Sequence, residues 1–292
     1  MKIVCITDIH GYLDEALAAI QKLEEKIGIK LVEDGEWVSD HKLVLNGDMF
    51  DRGSQNRESL RWALDNSDVY NIGNHEFFAL FPDVTKDFMS QSYFENHGEN
   101  GLYWFNMGEE ERHRLIQAVA EGEITAAYKH YNYTYSHSGV RSSYPEIPKI
   151  NSKLEEVGEK LLESHKEAIK GNYKEFEQTQ REIVDTVETK NGKELRGKYP
   201  FLFDVARNDR GETTKGGIVW NRFQHLETSK KQVVGHTRGT YLRQKGLEMN
   251  PQWRKQALNI NTIRDAVNGK SDIAMTIEDE EKLESHEPRL EN

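Results

Sequence analysis

Apolar runs and helix-period stretches alternate through the first third of the chain. "KIVCIT" (2–7) reads as a short buried strand, and Leu13 to Ile27 as an amphipathic helix with Leu13, Leu17, Ile20, Leu23 and Ile27 on one side. "KLVLN" is a second strand, followed by a helix from about Asn56 to Leu64. "DVYNI" is a third strand, with a helix from about Glu76. This β-α-β-α-β-α order predicts an α/β sheet with crossover helices. Gly11, Gly53 and Gly73 fall at the strand-end turns. Further on, Glu109 to Glu121 reads as a helix, and "TAAYKHY" and "YTYSHSG" alternate like two strands. Ser152 to Thr189 is charged and helical, with apolar positions at Leu154, Val157, Leu161, Ile169, Phe176 and Ile183 and a break near Gly171-Asn172. It predicts a solvated helical hairpin packed on the core rather than a recognition cap. Strands return at "QVVGH", "ALNIN" and "DIAMTIE". The expected organisation is one domain over 1–278 with a helical insert at 152–189, then a polar tail at 279–292 that frays.

Composition narrows the function. At 292 residues, with 36% hydrophobic and 30% charged, the chain is polar but long enough for a sizeable core. A formal charge of -11 argues against a nucleic-acid binder, which needs a cationic footprint. It leaves room for a small phosphorylated substrate, because divalent cations would offset local negative charge. No apolar run reaches the length of a bilayer span, and the start "MKIVCITDIHG" makes a poor signal peptide. Cys5 is the single cysteine, which excludes an intramolecular disulfide, and it reads as a small buried core residue. A cytoplasmic, reducing setting is the default expectation. The oligomeric state stays open.

Five strand ends share one pattern, in which apolar residues feed a polar residue beside a glycine. They are "TDIHG" with Asp8 and His10, "NGDMFDRG" with Asp48, "IGNHE" with Asn74, His75 and Glu76, "YSHSG" with His137, and "VVGHTRG" with His236. Asp8 and His10 are two apart, so on an extended backbone they point the same way. Ligands in open α/β sheets gather at the carboxyl ends of strands. If these ends converge, Asp8, His10, Asp48, Asn74, His137 and His236 form one cluster of oxygen and nitrogen donors. That donor set suits Mn²⁺, Fe or Zn²⁺ better than Ca²⁺. Six donors are too many for one ion that keeps a water, and they fit two ions sharing a carboxylate, for which Asp48 is the candidate. Two such ions activate water and clamp the oxygens of a phosphoryl transfer. Arg52 can then fork onto phosphate oxygens. His75 follows Asn74 and can act as general acid, with Asp51 orienting it. His41, His97, His113, His130, His165, His225 and His286 lack this context and read as surface or core.

The ordered blocks "DIHG", "GDMFDRG", "GNHE", "HSG" and "GHT" resemble those of the calcineurin-like metallophosphoesterases, and among them the phosphoprotein phosphatase family. The resemblance runs from Asp8 to Thr237. It implies a β-sandwich core flanked by helices and a two-metal site in which Mn²⁺ is usual. Asp8, His10 and Asp48 would hold one ion, and Asp48, Asn74, His137 and His236 the other. His75 with Asp51 would be acid and partner, and Arg52 would bind phosphate. "GGIVWNRF" is similar to the "WNR" segment of the phage lambda-type bacterial phosphatases, which implies Arg222 as a second phosphate ligand. Ile72-Gly73 replaces the Arg that often precedes "GNHE", and "HSG" replaces "HGG". Both departures lean towards bacterial, phage or diadenosine-tetraphosphatase-like branches, while "GNHE" leans back towards the protein phosphatases. The implied activity is hydrolysis of phosphomonoesters, including phosphoserine and phosphothreonine in proteins. The alternative is a dinucleoside polyphosphate or another phosphoanhydride or phosphodiester, since loops around a shared metal site choose the substrate. A non-catalytic scaffold is disfavoured because every expected site residue is present.

Overall fold

The strand Ile3–Ile6 lies inside a six-stranded sheet. It pairs in parallel with Lys42–Leu45, which pairs in parallel with Val69–Asn71, which pairs in parallel with Ile124–Thr125. On its other side runs the antiparallel strand Met275–Asp279. The computed structural model describes residues 2–96, 99–207, 213–223, 226, 231–237, 252–254, 257–260, 275–279 and 282–286. A second, five-stranded sheet has the order Gln252–Arg254, Ala257–Asn259, Lys231–Val234, Tyr133–Tyr135, Tyr128–His130.

Strand side chains alternate between faces, and here each face has its own partner. Val4, Ile6, Leu43, Leu45 and Tyr70 join the large hydrophobic cluster that the helices complete. Ile3, Cys5, Val44 and Val69 pack instead with Tyr133, Tyr135, Val233 and Leu258 of the second sheet. The result is the expected α/β sandwich flanked by helices, with Cys5 buried between the sheets.

The helix Leu13–Ile27 keeps its predicted limits. Leu13, Ile20 and Leu23 are buried, a gross gain of roughly 5–9 kcal/mol at about 1.5–3 each. It stops at Gly28, which takes a left-handed conformation with φ 70 and donates its N–H to Glu24 O. The helix Asn74–Leu80 follows the Val69–Asn71 strand and carries two of the predicted site residues in its first turn.

Three sequence expectations change. "TAAYKHY" is not one strand: Ile124–Thr125 ends the first sheet and Tyr128–His130 begins the second sheet's edge. Asn151 holds the crossover, accepting from the N–H groups of Ala126 and Ala127 and donating to Ala127 O. The insert is not helical to Thr189. Helices Ile147–Ile169 and Tyr173–Ile183 lead into the strand Val184–Thr189, which turns at Lys190-Asn191 and returns as Gly192–Gly197. Val205–Arg207 and Thr213–Gly216 complete a four-stranded antiparallel sheet. The two helices bury Ile150, Leu154, Val157, Leu161, Phe176 and Ile183 in the main core. Lys282–His286, in the segment expected as a polar tail, pairs antiparallel with Met275–Asp279. Residues 287–292, and His97 and His225, lie outside the described residues.

Candidate active site

Every strand end that the sequence singled out opens onto one place. Asp8 and His10 follow Ile3–Ile6, Asp48 to Arg52 follow Lys42–Leu45, and Asn74 and His75 follow Val69–Asn71. His137 follows Tyr133–Tyr135 and His236 follows Lys231–Val234 in the other sheet. The backbone bends hard to do this. Eight non-glycine residues have positive φ among the described residues, and six of them are Asp8, His10, Asp48, Asp51, Arg52 and His236. Such conformations cost energy and cluster where the surrounding structure enforces a function.

Two imidazoles are oriented from behind. His10 Nδ1 faces Phe50 O at 3.1 Å and His137 Nδ1 faces Asn46 O at 2.8 Å, so each donates from Nδ1 and turns Nε2 inward. Asp48 Oδ2 lies 3.6 Å from His10 Nε2 and 3.5 Å from His137 Nε2. It therefore stands between two groups of donors. On one side, His10 Nε2 is 3.7 Å from Asp8 Oδ1. On the other, Asn74 Oδ1 is 3.0 Å from His137 Nε2 and 2.7 Å from His236 Nδ1. Asp48, His137 and His236 offer atoms within 4.8 Å of one another, as do His10, Asp48 and His75.

These atoms fit a cation. With His137 donating from Nδ1, its Nε2 and Asn74 Oδ1 are both acceptors, only 3.0 Å apart. A positive ion satisfies converging lone pairs that hydrogen bonds alone serve poorly. Burial pushes the Asp8 carboxyl up to about 7 and the Asp48 carboxyl well above the usual range, and it lowers His236. A divalent cation reverses that preference by supplying the missing positive charge. His75 is near enough to join the first group, but its surroundings differ from those of His10 and His137. Its Nε2 is 3.1 Å from an Arg52 nitrogen, and its Nδ1 meets Asp51 Oδ2 at 2.5 Å. A ring held by a carboxylate and facing a guanidinium is better suited to moving a proton than to holding an ion.

Asp51 is fully buried, which raises its pKa well above the usual range, and its second oxygen accepts the Trp104 N–H at 3.0 Å. Arg52 donates to His10 Nε2 at 2.6 Å as well as to His75. Nε2 of His10 cannot accept from Arg52 and ligate an ion together, so holding an ion there would require this hydrogen bond to break. That cavity, about 310 Å³, has Asp48, Asn74, His75 and His236 on its polar side, and Arg52 and Arg222 also line it. Phe78, Tyr93 and Trp220 form its aromatic wall. No residue of 152–189 lines it, as expected of a hairpin packed on the core rather than a recognition cap. A larger hollow of about 480 Å³, between Arg141–Pro145 and the insert sheet, contains none of these groups.

The sequence reading placed Glu76 at a strand end but gave it no role, although it completes the "GNHE" block. Its carboxylate is fully buried and accepts four hydrogen bonds: from the N–H groups of Asp48 at 2.8 Å, Met49 at 2.9 Å and Gly73 at 2.7 Å, and from the Tyr70 hydroxyl at 2.7 Å. It ties the loop that carries Asp48 to the turn that carries Asn74. Gly73 is needed at that junction, because a Cβ there would collide with Asp48 and Glu76. Thr7 and Asn46 were missed too. The Thr7 hydroxyl donates to Asp8 Oδ2, and Asn46 supplies the carbonyl behind His137.

The family model described as calcineurin-like phosphoesterase matches residues 1–195. No curated protein sequence matches significantly. Among solved structures, a mutant cold-active protein tyrosine phosphatase is 17% identical with a TM-score of 0.53, covering 99% of this chain and 80% of that one. A protein serine/threonine phosphatase from Saccharomyces cerevisiae is 15% identical with a TM-score of 0.44, covering 100% of this chain and 81% of that one. Among the described residues, no helix is long and apolar enough to cross a membrane.

Proposed function

The chain belongs to the calcineurin-like phosphoesterases, and on that premise we propose that it is a two-metal phosphatase acting on phosphomonoesters, with phosphoserine and phosphothreonine in proteins as its substrate class. One observation carries the reading. Asp48 stands between two donor groups on the same cavity that holds the His75–Asp51 pair and two arginines. Asp8, His10 and Asp48 would hold one ion, and Asp48, Asn74, His137 and His236 the other. Mn²⁺ is the proposed ion and the cytoplasm the proposed setting. The ions supply Lewis-acid activation of water and of the phosphoryl group when bound.

The chain's own residues do the rest. Arg52 and Arg222 neutralise and orient the phosphate oxygens. Water forms a new P–O bond as the bond to the leaving oxygen breaks; the leaving oxygen takes a proton from His75 Nε2, and the water's own proton is released to solvent with the phosphate, from which His75 is later reprotonated. Asp51 keeps the Nδ1 proton in place and stabilises the imidazolium beforehand.

A second reading has its own support. Phe78, Tyr93 and Trp220 could stack a flat leaving group such as the adenine of a dinucleoside polyphosphate. The test is a panel of a phosphoserine peptide, a phosphotyrosine peptide, nitrophenyl phosphate and diadenosine tetraphosphate on Mn²⁺-loaded protein, each also with His75→Asn. The proposal expects turnover of the phosphoserine peptide, slowed about 10²–10⁴-fold in the variant, with a clearly smaller effect on nitrophenyl phosphate, whose leaving group departs without a proton. Preference for diadenosine tetraphosphate would transfer the function to the second reading.

A further inference from the structure

Arg112 is not among the residues that line the cavity, yet among the described residues it is the one arginine that is buried. It is 8% exposed, on the helix Glu109–Ala120. Taking a guanidinium out of water is costly unless its donors are met. Burial lowers its pKa, with Tyr173 and Asp83 acting in the opposite direction. One of its terminal nitrogens donates to Ala79 O, and the other to Trp104 O at 3.0 Å.

Both carbonyls belong to the machinery around His75. Ala79 is in the last turn of Asn74–Leu80, the helix that carries Asn74, His75 and Glu76. A carbonyl in that turn has no partner within the helix, and a cation there also meets the negative end of the helix dipole. Trp104 is the residue whose N–H holds Asp51 Oδ1 at 3.0 Å. Asp51 Oδ2 in turn holds His75 Nδ1 at 2.5 Å. The Trp104 indole adds a ring contact to Phe78, 5.7 Å between centroids, and Phe78 lies against His75 at 5.0 Å. One guanidinium therefore grips the imidazole's own helix with one arm. With the other it grips the backbone of the residue that aims the imidazole's partner.

We propose that Arg112 is a positioning residue for the reaction, holding Asp51 and His75 in register through the Trp104 and Ala79 carbonyls. The inference rests on the proposed phosphatase reading for its assay, but its structural content is the coupling of Arg112 to Asp51. The geometry also gives the consequence of losing it. The Trp104 segment would shift relative to the Asn74–Leu80 helix, and the Asp51–His75 bond would loosen. The metal ligands, tied separately by Glu76, Asn46 and Phe50, would stay.

The experiment is a double-mutant cycle on Mn²⁺-loaded protein. Arg112→Met, Asp51→Asn and the combination are compared for phosphate release from a phosphoserine peptide and from nitrophenyl phosphate, with metal content measured on each. Arg112→Met should lower kcat on the peptide about 10-fold, part of the 10²–10⁴ that acid catalysis supplies. KM and bound metal should hold, and kcat on nitrophenyl phosphate should fall less than about 3-fold. Added to Asp51→Asn, it should cost nothing further, because the bond it protects is already impaired. Losses that multiply in the double variant, or that are equal for both substrates, would overturn the positioning role and leave Arg112 as a packing residue. If His75→Asn shows no leaving-group dependence, the general-acid reading fails on its own, and multiplicativity in the Arg112–Asp51 cycle still decides this proposal. Should Arg112→Met fail to fold, Arg112→Lys, which keeps the charge and loses the fork, is judged by the same cycle.

Discussion

Replacing Glu76 with Gln keeps the shape of the side chain and removes half of its accepting capacity. In the native protein one oxygen accepts the Asp48 and Gly73 N–H groups, and the other accepts the Met49 N–H and the Tyr70 hydroxyl. The glutamine oxygen can keep the first pair as neutral bonds. Its NH₂ can donate to the Tyr70 oxygen once that hydroxyl rotates, but the Met49 N–H is then left facing a donor. One buried orphan N–H costs about 1–3 kcal/mol, and turning two charge-assisted bonds into neutral ones costs about 0.5–1 kcal/mol each. Removing a fully buried charge gives some of this back. The net expectation is a loss of about 2–4 kcal/mol. Reversible urea unfolding should be run in chelator, so that metal linkage does not inflate the difference. A loss below about 0.5 kcal/mol would refute the idea that Glu76 braces the two site loops. Because those loops carry Asp48 and Asn74, the same variant should also bind Mn²⁺ more weakly.

Arg222→Ala and Arg52→Ala should each raise KM and lower kcat for nitrophenyl phosphate while metal content stays normal; unchanged kinetics for Arg222→Ala would remove it from the site. His165 is held down at about 4 by burial first, with Arg112 and His113 adding to it. Its folded pKa lies below the ordinary histidine value, so its contribution is complete above about pH 6.5 and is lost as pH falls towards 4. His165→Gln should flatten the acid side of the stability profile by about 1–3 kcal/mol between those limits, read as Tm against pH in chelator. A profile as steep as that of the native protein would contradict it.

How far the residues announced this molecule depends on where each kind of information sits. The Leu13–Ile27 helix was legible to the residue because its apolar stripe and its glycine stop are local signals. The strand ends were legible because a buried run that meets Asp, His or Asn beside glycine changes character abruptly. The hairpin 184–197 was misread because its strands are short of large apolar side chains, and the turn residues Lys190-Asn191 before Gly192 were passed over among charges. The helix that opens the insert begins at Ile147, earlier than expected, with Pro148 in its first turn, a place where a missing N–H does no harm. Glu76 and Arg112 were not legible as functional. A buried acid with four donors and a buried arginine on two carbonyls look, in sequence, like any Glu and Arg of a helix. Only the fold brings their partners from positions such as Asp48, Met49 and Trp104.

Metal stoichiometry and phosphate release, measured together on chelated and then Mn²⁺-loaded protein, test the central claim most directly. The account predicts two ions per chain, no turnover of a phosphoserine peptide after chelation, and recovery on reloading. It predicts that Asp48→Ala, which removes the carboxylate between the two donor groups, loses both ions and the activity. Two ions still bound to Asp48→Ala with normal turnover, or full activity in the chelated protein, would contradict it.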